Sequence, residues 1–137
     1  MILRVMIVED EDMIRNGLVK TLPWADMGCT VIGSAGDGKS GLEQIIERRP
    51  DVVITDIRMP EMDGFEMLER ALAVYRFHII IFTSYAEFDY AQKAISIHAY
   101  DYLLKPLDEK RLAGMAEGIR ALTALPGVSA HFRPVRL

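Results

Sequence analysis

The sequence predicts an α/β domain whose parallel sheet carries helices on both faces. Five short apolar runs recur along the chain, and helical periodicity fills the gaps between them. Three of the runs are near-continuously apolar rather than alternating, as strands buried on both faces must be. Right-handed crossovers then divide the connecting helices between the two faces. At 137 residues the chain has the size of one domain.

The elements follow in order. Residues 3–8 (LRVMIV) read as the first strand, and Ile14, Leu18 and Leu22, spaced by four, as the inner stripe of the first helix. Residues 30–34 (TVIGS) form the second strand, and Leu42, Ile45 and Ile46 one face of the next helix. Residues 52–55 (VVIT) precede a helix marked by Phe65, Leu68 and Leu72. Residues 79–82 (IIIF) precede one marked by Ala91 and Ile95. Residues 102–104 (YLL) lead into a fifth helix on Leu112, Met115, Ile119 and Leu122, with Asp108 placed to cap it. Gly114 and Gly118 weaken that helix by about 1 kcal/mol each relative to Ala. Pro126-Gly127 ends it, which gives a domain over residues 1–124 and a disordered tail or linker stub over residues 125–137.

Composition excludes several classes. Half the residues are hydrophobic and 26% charged, enough for a packed core. Lys+Arg 16 against Asp+Glu 20 leaves a net charge of −4, which argues against a whole-domain grip on nucleic acid. The lone Cys29 rules out an intrachain disulfide or a multi-cysteine zinc site and reads as an inert buried thiol. The start MILRVMIVEDED is not a signal peptide, and no apolar run approaches the ~18 residues of a membrane span. The expectation is a soluble, cytoplasmic domain with no membrane partner. His78, His98 and His131 lack ligand spacing; the eight Met read as core fillers, and Trp24 as a cover for the end of the first helix.

In an open parallel sheet, chemistry gathers beyond the carboxyl ends of the strands. Here those ends run into Glu9-Asp10-Glu11-Asp12, Asp56, Thr83-Ser84 and Lys105-Pro106. If the first and third strands are neighbours, Glu9, Asp10 and Asp56 converge. Two carboxylates ~4 Å apart repel by about 4 kcal/mol at an effective dielectric near 20, and one lysine cannot neutralise three. Either some are protonated, or a divalent cation sits there. An all-oxygen site with open positions suits Mg²⁺. A solvated acidic loop is the plain alternative. Lys105 and Thr83 beside the acids would suit a phosphoryl group passing onto Asp56, a competent acceptor.

These residues carry a resemblance. IVEDE (7–11), TDIRMPEMDGFEML (55–68), FTSYAEFDYAQKAI (82–95) and AYDYLLKPLD (99–108) resemble the response-regulator receiver domains of two-component signalling, over about residues 3–122. With Trp24 before Gly28, the chain looks most like receivers attached to AraC-type helix-turn-helix regulators. The resemblance implies a flavodoxin-like sheet in the order 2-1-3-4-5 with five helices. It also implies a phosphoacceptor at Asp56 and Mg²⁺ on Glu9, Asp10, Asp56 and the backbone carbonyl of Arg58. Phosphate would be bound by Thr83, Ser84 and Lys105, Thr83 and Tyr102 would form the switch pair, and Pro106 would be cis. A sensor histidine kinase would be the donor, small phosphodonors would substitute, and the domain would catalyse only its own phosphoryl transfer and dephosphorylation. A face of the fourth helix, fifth strand and fifth helix would form a homodimer, with Asp101 and the run 108–111 offering alternating charges. DNA would be reached only through a C-terminal domain missing from this chain.

Two motifs compete. Residues 33–40 (GSAGDGKS) fit G-x-x-x-x-G-K-S, the phosphate-cradling P-loop, and residues 36–41 fit G-x-G-x-x-G. Asp37 lies within a loop that should hold anions, and neither motif accounts for Thr83, Lys105 or the acidic first turn. A phosphorylation-independent pseudo-receiver is the other alternative, opposed by the intact Asp56, Thr83 and Lys105. Finally, Arg58 and Tyr85, two positions after Asp56 and Thr83, are bulky enough to obstruct water, which predicts a phosphoryl group lasting minutes or longer.

Overall fold

The computed structural model describes residues 1–125. Strands β1 (Leu3–Val8), β2 (Cys29–Ala35), β3 (Val52–Thr55), β4 (His78–Thr83) and β5 (Asp101–Leu104) alternate with helices α1 (Asp12–Thr21), α2 (Gly38–Arg48), α3 (Gly64–Leu72), α4 (Phe88–Ser96) and α5 (Glu109–Thr123). All four strand pairings are parallel, and the order is β2-β1-β3-β4-β5. This is the flavodoxin-like fold, with β1 and β3 adjacent at the point where the winding reverses.

The strands' period of two explains the two cores. Leu3, Val5, Ile7, Ile54, Ile80 and Phe82 point to one face, where Leu18 of α1 and Leu112, Met115 and Ile119 of α5 cover them. Met6, Val8, Val53, Ile79 and Ile81 point to the other, against Ile45 of α2, Phe65 and Leu68 of α3 and Ala94 of α4. Register levels the carboxyl ends: Val8 pairs Thr55, Thr55 pairs Ile81 and Thr83 pairs Leu104. The acidic first turn, Asp56, Thr83 and Lys105 therefore emerge at one edge.

Some expectations shift. Three strands begin one residue earlier, at Cys29, His78 and Asp101, because the parallel ladder runs past the change in polarity. On α4 the expected stripe is wrong: Ile95 is 73% exposed and Ala91 is exposed, while Ala94 turns inward. Met13 projects from α1 into solvent, so it fills no core, unlike Met6, Met27, Met59, Met67 and Met115. Trp24 is buried and its indole N–H donates to the Leu18 carbonyl at 2.9 Å, closing the end of α1 as expected. Asp108 caps α5 through the Arg111 amide. Cys29 is buried, which pushes its thiol pKa up. Among the described residues no helix is long and apolar enough to cross a membrane. Leu125 is exposed; residues 126–137 of the expected tail, with His131, lie outside the described residues.

Candidate functional site

Each side chain at this edge is fixed by the backbone below it. The Glu9 amide donates to the Ala35 carbonyl at 3.0 Å and the Asp56 amide to the Val8 carbonyl at 3.1 Å, which ties both acids to strand ends. The Lys105 amide donates to the Thr83 carbonyl at 2.8 Å, fixing the β5 exit beside that of β4. The Lys105–Pro106 peptide is cis. Behind Asp56, the Gly64 amide donates to the Ile57 carbonyl at 2.7 Å. A Cβ at position 64 would run into the Asp56 carbonyl oxygen, so only glycine lets α3 start this close to the site.

Carboxylate oxygens of Glu9, Asp10 and Asp56 all lie within 4.8 Å of one another. Lys105 reaches across them: its Nζ donates to Asp56 Oδ2 at 2.8 Å and forms an ion pair with Glu9 Oε1 at 2.6 Å. The other Asp56 oxygen accepts the Ile57 amide at 2.7 Å, and Glu9 Oε2 the Glu11 amide at 3.2 Å. Glu9 is 1% exposed and Asp56 7%, while Asp10 is half-buried. Burial pushes the Glu9 pKa up; Lys105 and the Glu11 amide oppose that, and the Asp56 charge adds to it. Burial works against the Lys105 ammonium, yet its bonds to Asp56 and Glu9 hold its pKa above the ordinary lysine value. One ammonium faces three carboxylates, so the site keeps an excess of anionic oxygen. Three close carboxylate oxygens are a donor set of the kind a small hard cation takes.

The rest of the expected set divides. Thr83 is fully buried at the end of β4, where its hydroxyl accepts a long bond from the Tyr85 amide, 3.4 Å, and makes none with Asp56. Ser84 is exposed, beside Lys105 in a groove of about 690 Å³ that Ile14, Gly17 and Leu18 of α1 also line. Tyr102 is half-buried, its hydroxyl donates to the Tyr85 carbonyl, and burial holds its pKa above the ordinary tyrosine value. The P-loop reading meets a direct obstacle. Gly33 lies inside β2, and the Asp37 carboxylate itself accepts the Ser40 amide at 2.7 Å, occupying the α2 N-terminus that a phosphate would need.

One cluster escaped sequence reasoning. The Arg58 guanidinium lies 3.6 Å from the centre of the Tyr85 ring, donates from Nε to the Tyr90 hydroxyl at 2.8 Å and pairs with Glu87 at 2.7 Å. It thereby joins the loop after β3 to the loop after β4 and the first turn of α4. Arg58 and Tyr85 were visible as bulky neighbours of the site, but no local pattern marks Glu87 and Tyr90 as their partners.

The family described as response regulator receiver domain matches residues 5–117. The Bacillus subtilis protein named "Uncharacterized transcriptional regulatory protein YesN" is 34% identical over 119 residues, which is 86% of this chain and 32% of that protein. The Staphylococcus aureus transcriptional regulatory protein HptR is 41% identical over 109 residues, 80% of this chain and 43% of that protein. The chain thus spans a third to two-fifths of the length of these curated relatives. Among solved structures, the REC domain of AraT, a response regulator from Geobacillus stearothermophilus, is 37% identical with a TM-score of 0.80, covering 88% of this chain and 95% of its own. With a parallel sheet in the order 2-1-3-4-5, an acidic trio bridged by lysine at its carboxyl edge, and a family match across most of its length, the chain belongs to the response regulator receiver domains.

Proposed function

We propose that Asp56 accepts a phosphoryl group from the phosphohistidine of a sensor histidine kinase and that the modified domain switches an output face. The observation that carries this is Asp56 itself: a carboxylate at a strand end, 7% exposed, with one oxygen on the Lys105 ammonium and two more carboxylates beside it. A carboxylate oxygen of Asp56 attacks phosphorus in line; the new P–O bond forms as the P–N bond breaks, and its electron pair stays on the donor imidazole. Lys105 holds Asp56 in place and then offsets charge on the phosphoryl oxygens. Glu9, Asp10, Asp56 and the Arg58 carbonyl would hold Mg²⁺, which when bound neutralises further phosphoryl charge. A donor protein must lie against this edge, and the apolar groove beside Lys105, lined by Ile14, Leu18 and Leu107, offers it a seat.

After transfer, new anionic oxygens recruit the Thr83 hydroxyl away from the Tyr85 amide, with Ser84 beside it. Tyr102, now tied to the Tyr85 carbonyl, turns into the space vacated. The result is a population shift across α4, β5 and α5. That face exposes Phe88 and Ile95, both 73%, and Leu104, which suits a homodimer of the phosphorylated form. Residues 1–124 act as the receiver, and residues 125–137 link to an AraC-type DNA-binding output; that the two relatives above are named transcriptional regulatory proteins, and extend well beyond the matched region, supports a transcriptional output, while the AraC type rests on the sequence resemblance. Arg58 stacked on Tyr85 beside the acceptor obstructs an attacking water, so self-dephosphorylation is slow. Small residues at both positions should speed that decay.

Titration with beryllofluoride plus Mg²⁺, against ATP plus Mg²⁺, tests the reading by the shift of the domain's amide resonances. A response to the first alone is expected. A response to ATP alone would restore the P-loop, and silence to both would leave a pseudo-receiver.

A further inference from the structure

The Arg58 side chain is held by contacts that a phosphoryl group can outbid. Its ion-pair partner Glu87 is half exposed, as is Arg58 itself, and such pairs gain little over water. Its other partners are the Tyr85 ring face and the Tyr90 hydroxyl. The guanidinium leaves the chain two residues after Asp56, and the ring beneath it belongs to the residue whose amide engages Thr83. A planar fork of donors suits phosphoryl oxygens far better than one exposed carboxylate. Lys105 cannot supply that second cation alone, since Glu9 already claims part of its charge at 2.6 Å.

The partners that Arg58 would leave are informative. Glu87 is the residue before α4 and has no capping bond of its own, and Tyr90 lies in the first turn. Ala94 is the buried residue of α4 and Tyr90 packs part-buried against Phe65; polar ties add to this thin apolar seat, Arg58 to Glu87 and Tyr90, and Lys93 to Glu69 at 3.6 Å. Releasing the first tie leaves the α4 N-terminus held chiefly by the packing of the Tyr90 ring against Phe65, which loosens its first turn.

We infer that Arg58 is a second phosphoryl-binding side chain, parked on Glu87 and Tyr90 in the unmodified protein, and that its transfer to the phosphoryl oxygens frees the first turn of α4. The inference rests on Asp56 being the acceptor and adds a route to α4 beside that through Thr83 and Tyr102. Glu87 is then a competitor of the phosphoryl group, which makes the effects of two exposed residues opposite in sign.

The test is the beryllofluoride titration of the full chain with saturating Mg²⁺. Arg58→Gln should weaken binding about 5- to 10-fold, by loss of a charge-assisted bond. Glu87→Gln should strengthen it about 2- to 3-fold, the scale of an exposed ion pair. The double variant should match Arg58→Gln, since without the arginine Glu87 has nothing to compete for. The Arg58 Nε–H resonance, absent from Arg58→Gln, should shift on binding together with the Glu87 and Tyr90 amides. Both positions are surface-exposed, so folding is not at risk. Equal signs for the two single variants, a Glu87→Gln gain that persists without Arg58, or an unmoved Nε–H resonance would each overturn the inference while leaving Asp56 as acceptor. No beryllofluoride binding by the unsubstituted chain would instead overturn the proposed function, and this inference with it.

Discussion

At the scale of single residues, buried polar groups record what the fold must satisfy. Tyr75 is buried at the amino edge of the sheet, its hydroxyl donating to the Pro50 carbonyl at 2.9 Å. Burial raises its pKa well above the ordinary 10.0, and Asp51 adds to that. The folded state therefore keeps the phenol proton to a higher pH than the unfolded chain does. The stability this contributes is fully present below pH 10 and is lost as pH rises from there toward the folded-state value. Tyr75→Phe should cost about 1 kcal/mol at neutral pH for the lost hydrogen bond, and its alkaline destabilisation should be shallower, so the two proteins converge. Urea midpoints between about pH 8 and about pH 11 check this, and parallel slopes would contradict it. The acidic trio and Lys105 were legible because a parallel sheet delivers every strand's carboxyl end to one edge, so residues far apart in sequence could be collected by their place in the pattern. The Arg58 cluster was not, because its partners lie 29 and 32 positions away on an exposed helix start with no periodicity to betray them.

At the scale of elements, the glycines of α5 separate intrinsic propensity from packing. Gly114 faces open space, whereas a Cβ on Gly118 would collide with the Tyr100 hydroxyl. Gly114→Ala should therefore raise the melting midpoint, by about 1 kcal/mol of helix propensity. Gly118→Ala receives the same gain but must displace a tyrosine, which costs about 1–3 kcal/mol, so its midpoint should stay level or fall. Equal rises for both would show that Tyr100 yields freely. The sequence pattern marked both glycines as weak points of the helix; only the fold distinguishes the one made by a neighbour's bulk. Helix α4 is the converse case. Its residues Ala91 and Ile95 suggested an inward stripe, but Ala94 faces the sheet, and Ala91 and Ile95 face out, as does Phe88. Periodicity reports which residues share a face, and it is silent on whether that face meets this chain's core or another surface.

At the scale of the whole molecule, strand–helix alternation was enough for a doubly wound sheet, while the order 2-1-3-4-5 came only from the resemblance to receivers. Strand order depends on where each crossover lands, which the content of a strand does not encode. That order is what makes β1 and β3 neighbours and so brings Glu9, Asp10 and Asp56 within 4.8 Å. Charge separated along the sequence becomes charge concentrated at one edge, and Lys105, arriving from the far strand, bridges two of the three acids. The central claim is that this concentration serves an acyl phosphate on one residue. The most direct test is to treat the chain with acetyl phosphate and Mg²⁺, reduce the product with borohydride and map the peptides. Conversion of position 56 alone to homoserine is the predicted result, absent without Mg²⁺ and absent in Asp56→Asn. Modification of the Asp56→Asn protein, or of another carboxylate in the unsubstituted one, would contradict the account.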